Sequence, residues 1–212
     1  MTPKGTTRES SRASSPPGSA PPTFSAAVSI DPERLRYVPF SRGAAVRNFR
    51  SRSADLDEFI QSSDVEDYEA DGFGRTYLVY YDADLVAYFT ICNDGLRFEY
   101  LERVKSFSKV PTKIVGTIPA VKVGRLATDV RFERQGIART LIRYVAGLAL
   151  ASPTAVRLLI LESKEDSQDF YLKCGFSFTR PIGREKGRRH RTMLLDLQEL
   201  PETADAVRNE PP

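Results

Sequence analysis

Apolar and polar positions along this chain change period several times, and the changes mark the elements. ERLRYVPF, residues 33–40, alternates as a strand does, and AAVRNFRSRSADLDEFIQSSDVEDYEADG after it reads as helical. Within that helical reading, Ser53 or Asp55 is placed to cap the piece carrying Leu56, Phe59 and Ile60, and Gly72 to end the next. RTYLVYYDADLVAYFTIC then gives two strands rich in β-branched and aromatic residues around Asp82-Ala83-Asp84, a hairpin signal. Residues 95–115 stay ambiguous: LRFEYLERV suits a strand or a helix, and SFSKVPTKIVG a loop. Beyond them IPAVKVGRLATDV predicts a strand, GIARTLIRYVAGLAL a helix, AVRLLILES a buried strand and EDSQDFYLKCG a short helix ended by its glycine; FSFTRP and RTMLLDLQ predict two more strands. Strand–helix–strand units with apolar strands imply partly parallel pairing with right-handed crossovers. The expected class is α/β, a mixed sheet preceded by antiparallel hairpins.

Composition sharpens the boundaries. Residues 1–30 are rich in Ser, Pro, Thr, Gly and Ala, with almost nothing to bury, and predict a disordered tail; residues 200–212 predict a shorter polar one. Residues 31–199 then form one domain, and 41% hydrophobic content is enough to build its core. A formal charge of +3, from 31 basic and 28 acidic residues, points to no polyanion by itself, so any such case has to be local. Cys92 and Cys174 are far apart and His190 is the only histidine, which speaks against a zinc site. With no cleavable leader or apolar run of membrane-spanning length, a cytoplasmic location with free thiols and no membrane partner is expected. Acid–base work then falls to Tyr, Glu, Asp, water or backbone groups.

RFERQGIARTLI, residues 131–142, carries the chemistry. A strand ending near Val130, a turn, and a helix beginning around Gly136 present unpaired backbone N–H groups, a geometry that binds phosphate. Gly136 lets a ligand approach without a Cβ, Ala138 keeps the first turn open, and Arg134 and Arg139 can add charge-assisted hydrogen bonds to a diphosphate. The plain alternative is an ordinary helix start with solvated arginines. Neither GxxxxGK[ST] nor GxGxxG is present, which disfavours a nucleotide-hydrolysing or a dinucleotide-binding loop.

ERQGIA, residues 133–138, resembles motif A of the GNAT superfamily, the acetyl-CoA-dependent N-acetyltransferases, whose loop reads roughly [Q/R]xxGx[G/A]; Glu133 stands where Gln or Arg is usual. VGRLATDVRF is similar to the strand whose splayed edge pairs with the pantetheine arm, and DFYLKCGF, residues 169–176, resembles the [A/S]xxFYxxxGF signature of the last helix and the strand after it. The likeness spans about residues 33–198 and implies the GNAT fold, with a splayed parallel strand pair in a mixed sheet flanked by helices. It implies acetyl-CoA as co-substrate, held by Leu126, Ala127, Thr128, Arg134, Gln135, Gly136, Ile137, Ala138 and Arg139. It further implies that the backbone at about Ala127–Thr128 holds the thioester carbonyl and that Tyr171 donates a proton to the departing sulfur. No metal is implied.

The element at residues 56–60, together with TYLVYYDADLVAYFTI and IPAVKVGRLATDVRF, is similar to the branch containing the acetyltransferase toxins of toxin–antitoxin pairs, which acetylate the amine of aminoacyl-tRNA. That branch often has a Cys-Gly pair ahead of this element, where the chain has FRSRSADLDEF. The implied partners are an amine acceptor, with a tRNA engaged through the basic loop 179–191 as the most specific candidate, an antitoxin protein, and a second copy of the chain. That loop holds six Arg or Lys against one Glu, equally suited to tracking phosphates or to a solvated hairpin. Tyr171 on its own also suits a core tyrosine beside Phe170. Glu99, Glu102 and Asp129 are candidate bases that no spacing selects, and Cys174 is expected to be a buried, inert thiol. Three readings stay open: acetylation of aminoacyl-tRNA, acetylation of a protein amine or small amine, and a GNAT-like binding module without activity.

Overall fold

A computed structural model describes residues 30–101, 116–179 and 190–200. The elements run β1 (Leu35–Pro39), α1 (Ala54–Gln61), α2 (Asp64–Ala70), β2 (Arg75–Tyr81), β3 (Asp84–Arg97), β4 (Thr117–Thr128), α3 (Ile137–Leu150), β5 (Leu158–Lys164), α4 (Gln168–Lys173), β6 (Ser177–Phe178) and β7 (His190–Asp196). The strands form one seven-stranded sheet in the order β1-β2-β3-β4-β5-β7-β6, antiparallel except for the β4–β5 pair. This is the α/β architecture expected, with the predicted hairpin turning at Asp82 in a left-handed conformation (φ 54°).

The central strands are apolar on both faces because both faces are covered. On one side, α3 lays a stripe of Ile137, Leu141, Ile142, Val145 and Ala149 against Val121, Val123, Leu159 and Leu161. Tyr144 of α3 stacks on Tyr37 of β1 at 3.5 Å between ring centroids. On the other side, Phe59 and Ile60 of α1 and Val65 of α2 pack on Leu78, Tyr88 and Ala127.

Two stretches differ from the sequence reading. Residues 44–53, expected as helix, are not helical. Their backbone is recruited elsewhere: Arg50 N–H donates to the Asp129 carboxylate (3.1 Å), Val130 N–H donates to Arg50 C=O (2.8 Å), and the Ser51 N–H and Oγ both donate to Asp57 (2.7 Å each). Helical hydrogen bonds give way to these, while buried Val46 and Phe49 anchor the segment. The LRFEYLERV stretch resolves as the end of β3 followed by a 3₁₀ turn at Phe98–Tyr100; residues 102–115 lie outside the described residues.

One irregularity positions the site. The β3–β4 register shifts between Thr90, opposite Arg125, and Ile91, opposite Val123, which leaves Gly124 as the extra residue of a bulge. A Cβ at Gly124 would lie 2.9 Å from Thr90 Oγ1, so glycine is what the close approach of β3 permits. The bulge also changes which residues point where. Before it, Ile118 and Ala120 belong to the cluster against β5 and β7 while Val121 and Val123 face α3; after it, Leu126 faces α3 and Ala127 faces α1.

Candidate active site

β4 and β5 are hydrogen-bonded only over Ala120–Val123 and Leu158–Leu161, yet β4 continues to Thr128 and β5 to Lys164. Past the bulge the parallel pair opens like a fork, and a cleft of about 1330 Å³ fills the opening. Along the free edge of β4 the orientation follows from register. Asp129 N–H bonds Val86 C=O on β3 (2.9 Å), so by strand alternation the main-chain groups of Ala127 also turn to β3 and those of Leu126 and Thr128 turn into the fork.

The turn after β4 delivers the helix start expected from the sequence. Gly136 sits in the left-handed region (φ 85°) immediately before α3, as does Arg134 (φ 61°), and no side chain caps the helix. Thr140 N–H bonds Gly136 C=O, whereas the amides of Ile137, Ala138 and Arg139 meet no protein acceptor among the described residues. A Cβ built on Gly136 finds nothing within 4 Å, so the space before these donors is open. Arg134 and Arg139 line the same cleft with no carboxylate partner among the described residues. Open amides, two left-handed residues and two free guanidinium groups together fit a diphosphate.

Tyr171, on α4, lines the cleft opposite this loop. Its ring packs edge-on against Phe170 (5.1 Å) and Phe176 (5.6 Å), so the packing role and the cleft position coexist. Burial, with the neighbouring Cys174 thiol, pushes its phenol up to about 12, which keeps it protonated throughout the neutral range. Cys174 does not line the cleft, and burial pushes its thiol up, as an inert cysteine requires. Of the candidate bases, Glu99 is ion-paired with Arg97 (3.2 Å) away from the cleft, and Glu102 lies outside the described residues. Asp129 is fully buried; burial opposes its ionisation, but hydrogen bonds from the Arg131 side chain and from the Arg131 and Arg50 amides prevail and lower its pKa. It holds the chain together at the end of β4 and does not reach the cleft.

The structure also brings in partners the sequence did not single out. Glu133, the departure in the loop, is paired with Arg52, whose Nε donates to both carboxylate oxygens (2.8 and 2.7 Å). Lys164 Nζ, on the other limb of the fork, reaches Ser53 Oγ (3.3 Å) and the Asp55 carboxylate (3.7 Å). Residues 51–55 thus bridge the two limbs on the α1 side. Lys122 and Glu162 pair across the base of the fork (3.0 Å), and Arg125 lies over the Phe59 ring. Only Gly124, a glycine inside a strand pattern, signalled any of this in sequence; the two ion-pair bridges of residues 51–55 join residues 81 and 109 positions apart. Of the basic loop 179–191, only Thr179, His190 and Arg191 are described; His190 lines the cleft and Arg191 covers the Phe178 ring at 3.8 Å. Among the described residues there is no metal-ligand cluster and no helix long and apolar enough to cross a membrane.

Residues 107–197 match the acetyltransferase (GNAT) domain family. No curated protein matches the chain. Among solved structures, AtaT complexed with acetyl-methionyl-tRNAfMet superposes with a TM-score of 0.64 at 20% identity, over 77% of this chain and 95% of that one. A tyrosine-to-phenylalanine mutant of KacT gives 0.66 at 16% identity over 82% and 99%, and AtaTR bound with AcCoA gives 0.61 at 20% over 82% and 98%. The match to the acetyltransferase (GNAT) domain falls on the loop, the fork and Tyr171, and the chain shares the fold of these acetyltransferase structures over most of its length.

Proposed function

We propose that this chain moves the acetyl group of acetyl-CoA onto the α-amine of an aminoacyl-tRNA. The observation that carries the transferase reading is the uncapped start of α3 opening directly into the fork that holds Tyr171. In this reading the amides of Ile137–Arg139, with Gln135 and Gly136 shaping the turn and Arg134 and Arg139 beside it, bind the diphosphate. The free edge of Leu126 and Thr128 aligns the pantetheine arm as an added strand would and fixes the thioester carbonyl. As the amine nitrogen bonds to the carbonyl carbon and the carbon–sulfur bond breaks, Tyr171 passes its proton to the sulfur. An α-amine with a pKa near 8 is partly neutral already, so water suffices to remove its remaining proton.

The acceptor assignment rests on charge. Glu133, Glu162 and Asp55 at the cleft each face a cation of their own, and Asp166 is the one lining carboxylate without one among the described residues, too little acidic surface to hold a polyamine. The solved neighbours favour the same acceptor: AtaT is seen with acetyl-methionyl-tRNAfMet, and it is also seen bound to the C-terminus of the antitoxin AtaR, which supports an antitoxin-like partner here. Incubation of the chain with acetyl-CoA and charged tRNA, with N-acetylated aminoacyl-tRNA and free CoA as readouts, tests the proposal. Equal release of both products is expected. Binding of acetyl-CoA with no amine-dependent CoA release would instead leave a binding module.

A further inference from the structure

The cleft has two sets of cations without carboxylate partners among the described residues. Arg134 and Arg139 belong to the diphosphate loop; Arg125 is on the other side, facing α1. Its guanidinium lies 3.6 Å from the centroid of Phe59 and 5.3 Å from that of Tyr68. Stacking on two rings holds the planar group in place and leaves its N–H edge to hydrogen-bond a ligand. The group is half-buried, with no hydrogen bond or ion pair among the described residues, and it lines the cleft at the point where the strands part. A half-withdrawn, oriented cation with nothing to neutralise it is costly unless something else supplies the anion.

We propose that Arg125 is the acceptor-side anion receptor, taking a phosphate of the molecule whose amine is acetylated. The inference rests on the aminoacyl-tRNA reading, because a nucleotide phosphate next to the aminoacyl ester is the anion that such an acceptor brings to this wall. Phosphate is favoured over carboxylate by the surroundings: six Arg or Lys side chains line the cleft against four carboxylates, with His190 beside them. A group bearing more than one negative charge gains most from such a field. Arg125 in this role is a specificity residue, with no part in bond making or proton transfer.

The test compares two acceptors carrying the same aminoacyl group, an aminoacylated RNA minihelix and a phosphate-free aminoacyl-adenosine amide, with wild type, Arg125→Met and Arg125→Lys at saturating acetyl-CoA. Arg125→Met is expected to raise KM for the minihelix at least about tenfold, leaving kcat and the phosphate-free KM within about twofold. It should also flatten the salt dependence of minihelix binding by about 0.7 in log–log slope, the loss of one single-strand phosphate contact. Arg125→Lys, which keeps the charge and loses the planar stack, should recover part of both effects, and this separates recognition from misfolding. Equal losses on both acceptors, or an unchanged salt slope, would overturn the inference. So would an equal KM penalty on a dipeptide acceptor, which would make the anion a carboxylate. If wild type acetylates neither RNA-derived acceptor, the aminoacyl reading falls alone. Inorganic phosphate binding to the acetyl-CoA-saturated protein, lost in Arg125→Met, then supports Arg125 as a receptor, and its absence refutes it.

Discussion

Replacing Gly136 by alanine separates the two things a left-handed glycine does. The added Cβ meets nothing within 4 Å, so no clash arises inside the protein, and the folding cost is that of forcing an L-residue to φ 85°, about 1 kcal/mol. For a domain of this size that lowers Tm by about 2–4 °C. Binding suffers separately, because the methyl group stands in the space before the open amides. Losing one or two charge-assisted hydrogen bonds to the diphosphate, about 1.5–3 kcal/mol, weakens acetyl-CoA binding roughly 10–100-fold. Gly43 supplies the control: its φ is 83° and a Cβ there also meets nothing, but it does not line the cleft. Calorimetric titration with acetyl-CoA and thermal melts should therefore show similar Tm losses for Gly136→Ala and Gly43→Ala, with a weakened Kd for the first alone. Wild-type affinity in Gly136→Ala would refute the assignment of these amides to the diphosphate.

Tyr171→Phe should cut turnover at least about tenfold with acetyl-CoA affinity kept, measured by steady-state kinetics and titration; unchanged turnover removes the phenol from the mechanism. Since folding raises the Tyr171 pKa to about 12, its contribution to stability is complete below pH 10 and is lost as pH climbs from about 10 to 12, a decline that denaturant melts should find reduced in the phenylalanine variant. Arg52→Ala exposes the Glu133 carboxylate beside the loop and should weaken acetyl-CoA binding about 3–10-fold, while adding Glu133→Gln restores it; a double-mutant cycle showing simple additivity would contradict the coupling. Asp129 has a lowered pKa in the fold, so its stabilisation is present above about pH 4 and lost as pH falls through the folded value; Asp129→Asn should cost about 2 kcal/mol at pH 7 and show a shallower acid dependence.

Local signals made much of the molecule readable in advance. The apolar stripe of α3 and the runs of β2, β3 and β5 repeat at the periods of their elements, and the Gly136 turn and Tyr171 both stand within contiguous motifs. What stayed hidden depends on partners distant in sequence. Residues 44–53 satisfy helical periodicity, yet Asp129 and Asp57 claim their amides. Glu133 departs from the usual Gln or Arg of the loop, and nothing local shows that Arg52 is paired with it. Arg125 is one basic residue among many in a strand, and nothing local shows that Phe59 waits beneath it. The sequence singles out the backbone at Ala127–Thr128 only as a segment; which of its groups face the fork is a matter of register, and register is set by pairing with β3.

The single surplus residue at Gly124 decides the fate of a charge. Were Gly124 to take a regular place in β4 with no bulge, residues 121, 123 and 125 would keep one parity, and the Arg125 guanidinium would be driven under α3 among Val145, Leu161 and Met193. An ion stranded in that oil would outweigh the net stability of an ordinary domain's folding by desolvation alone, so with all its residues present β4 cannot pair regularly with β3 past Val123, and the bulge is a condition of folding. One glycine thereby ties the ability to fold to the presence of a cation at the mouth of the cleft.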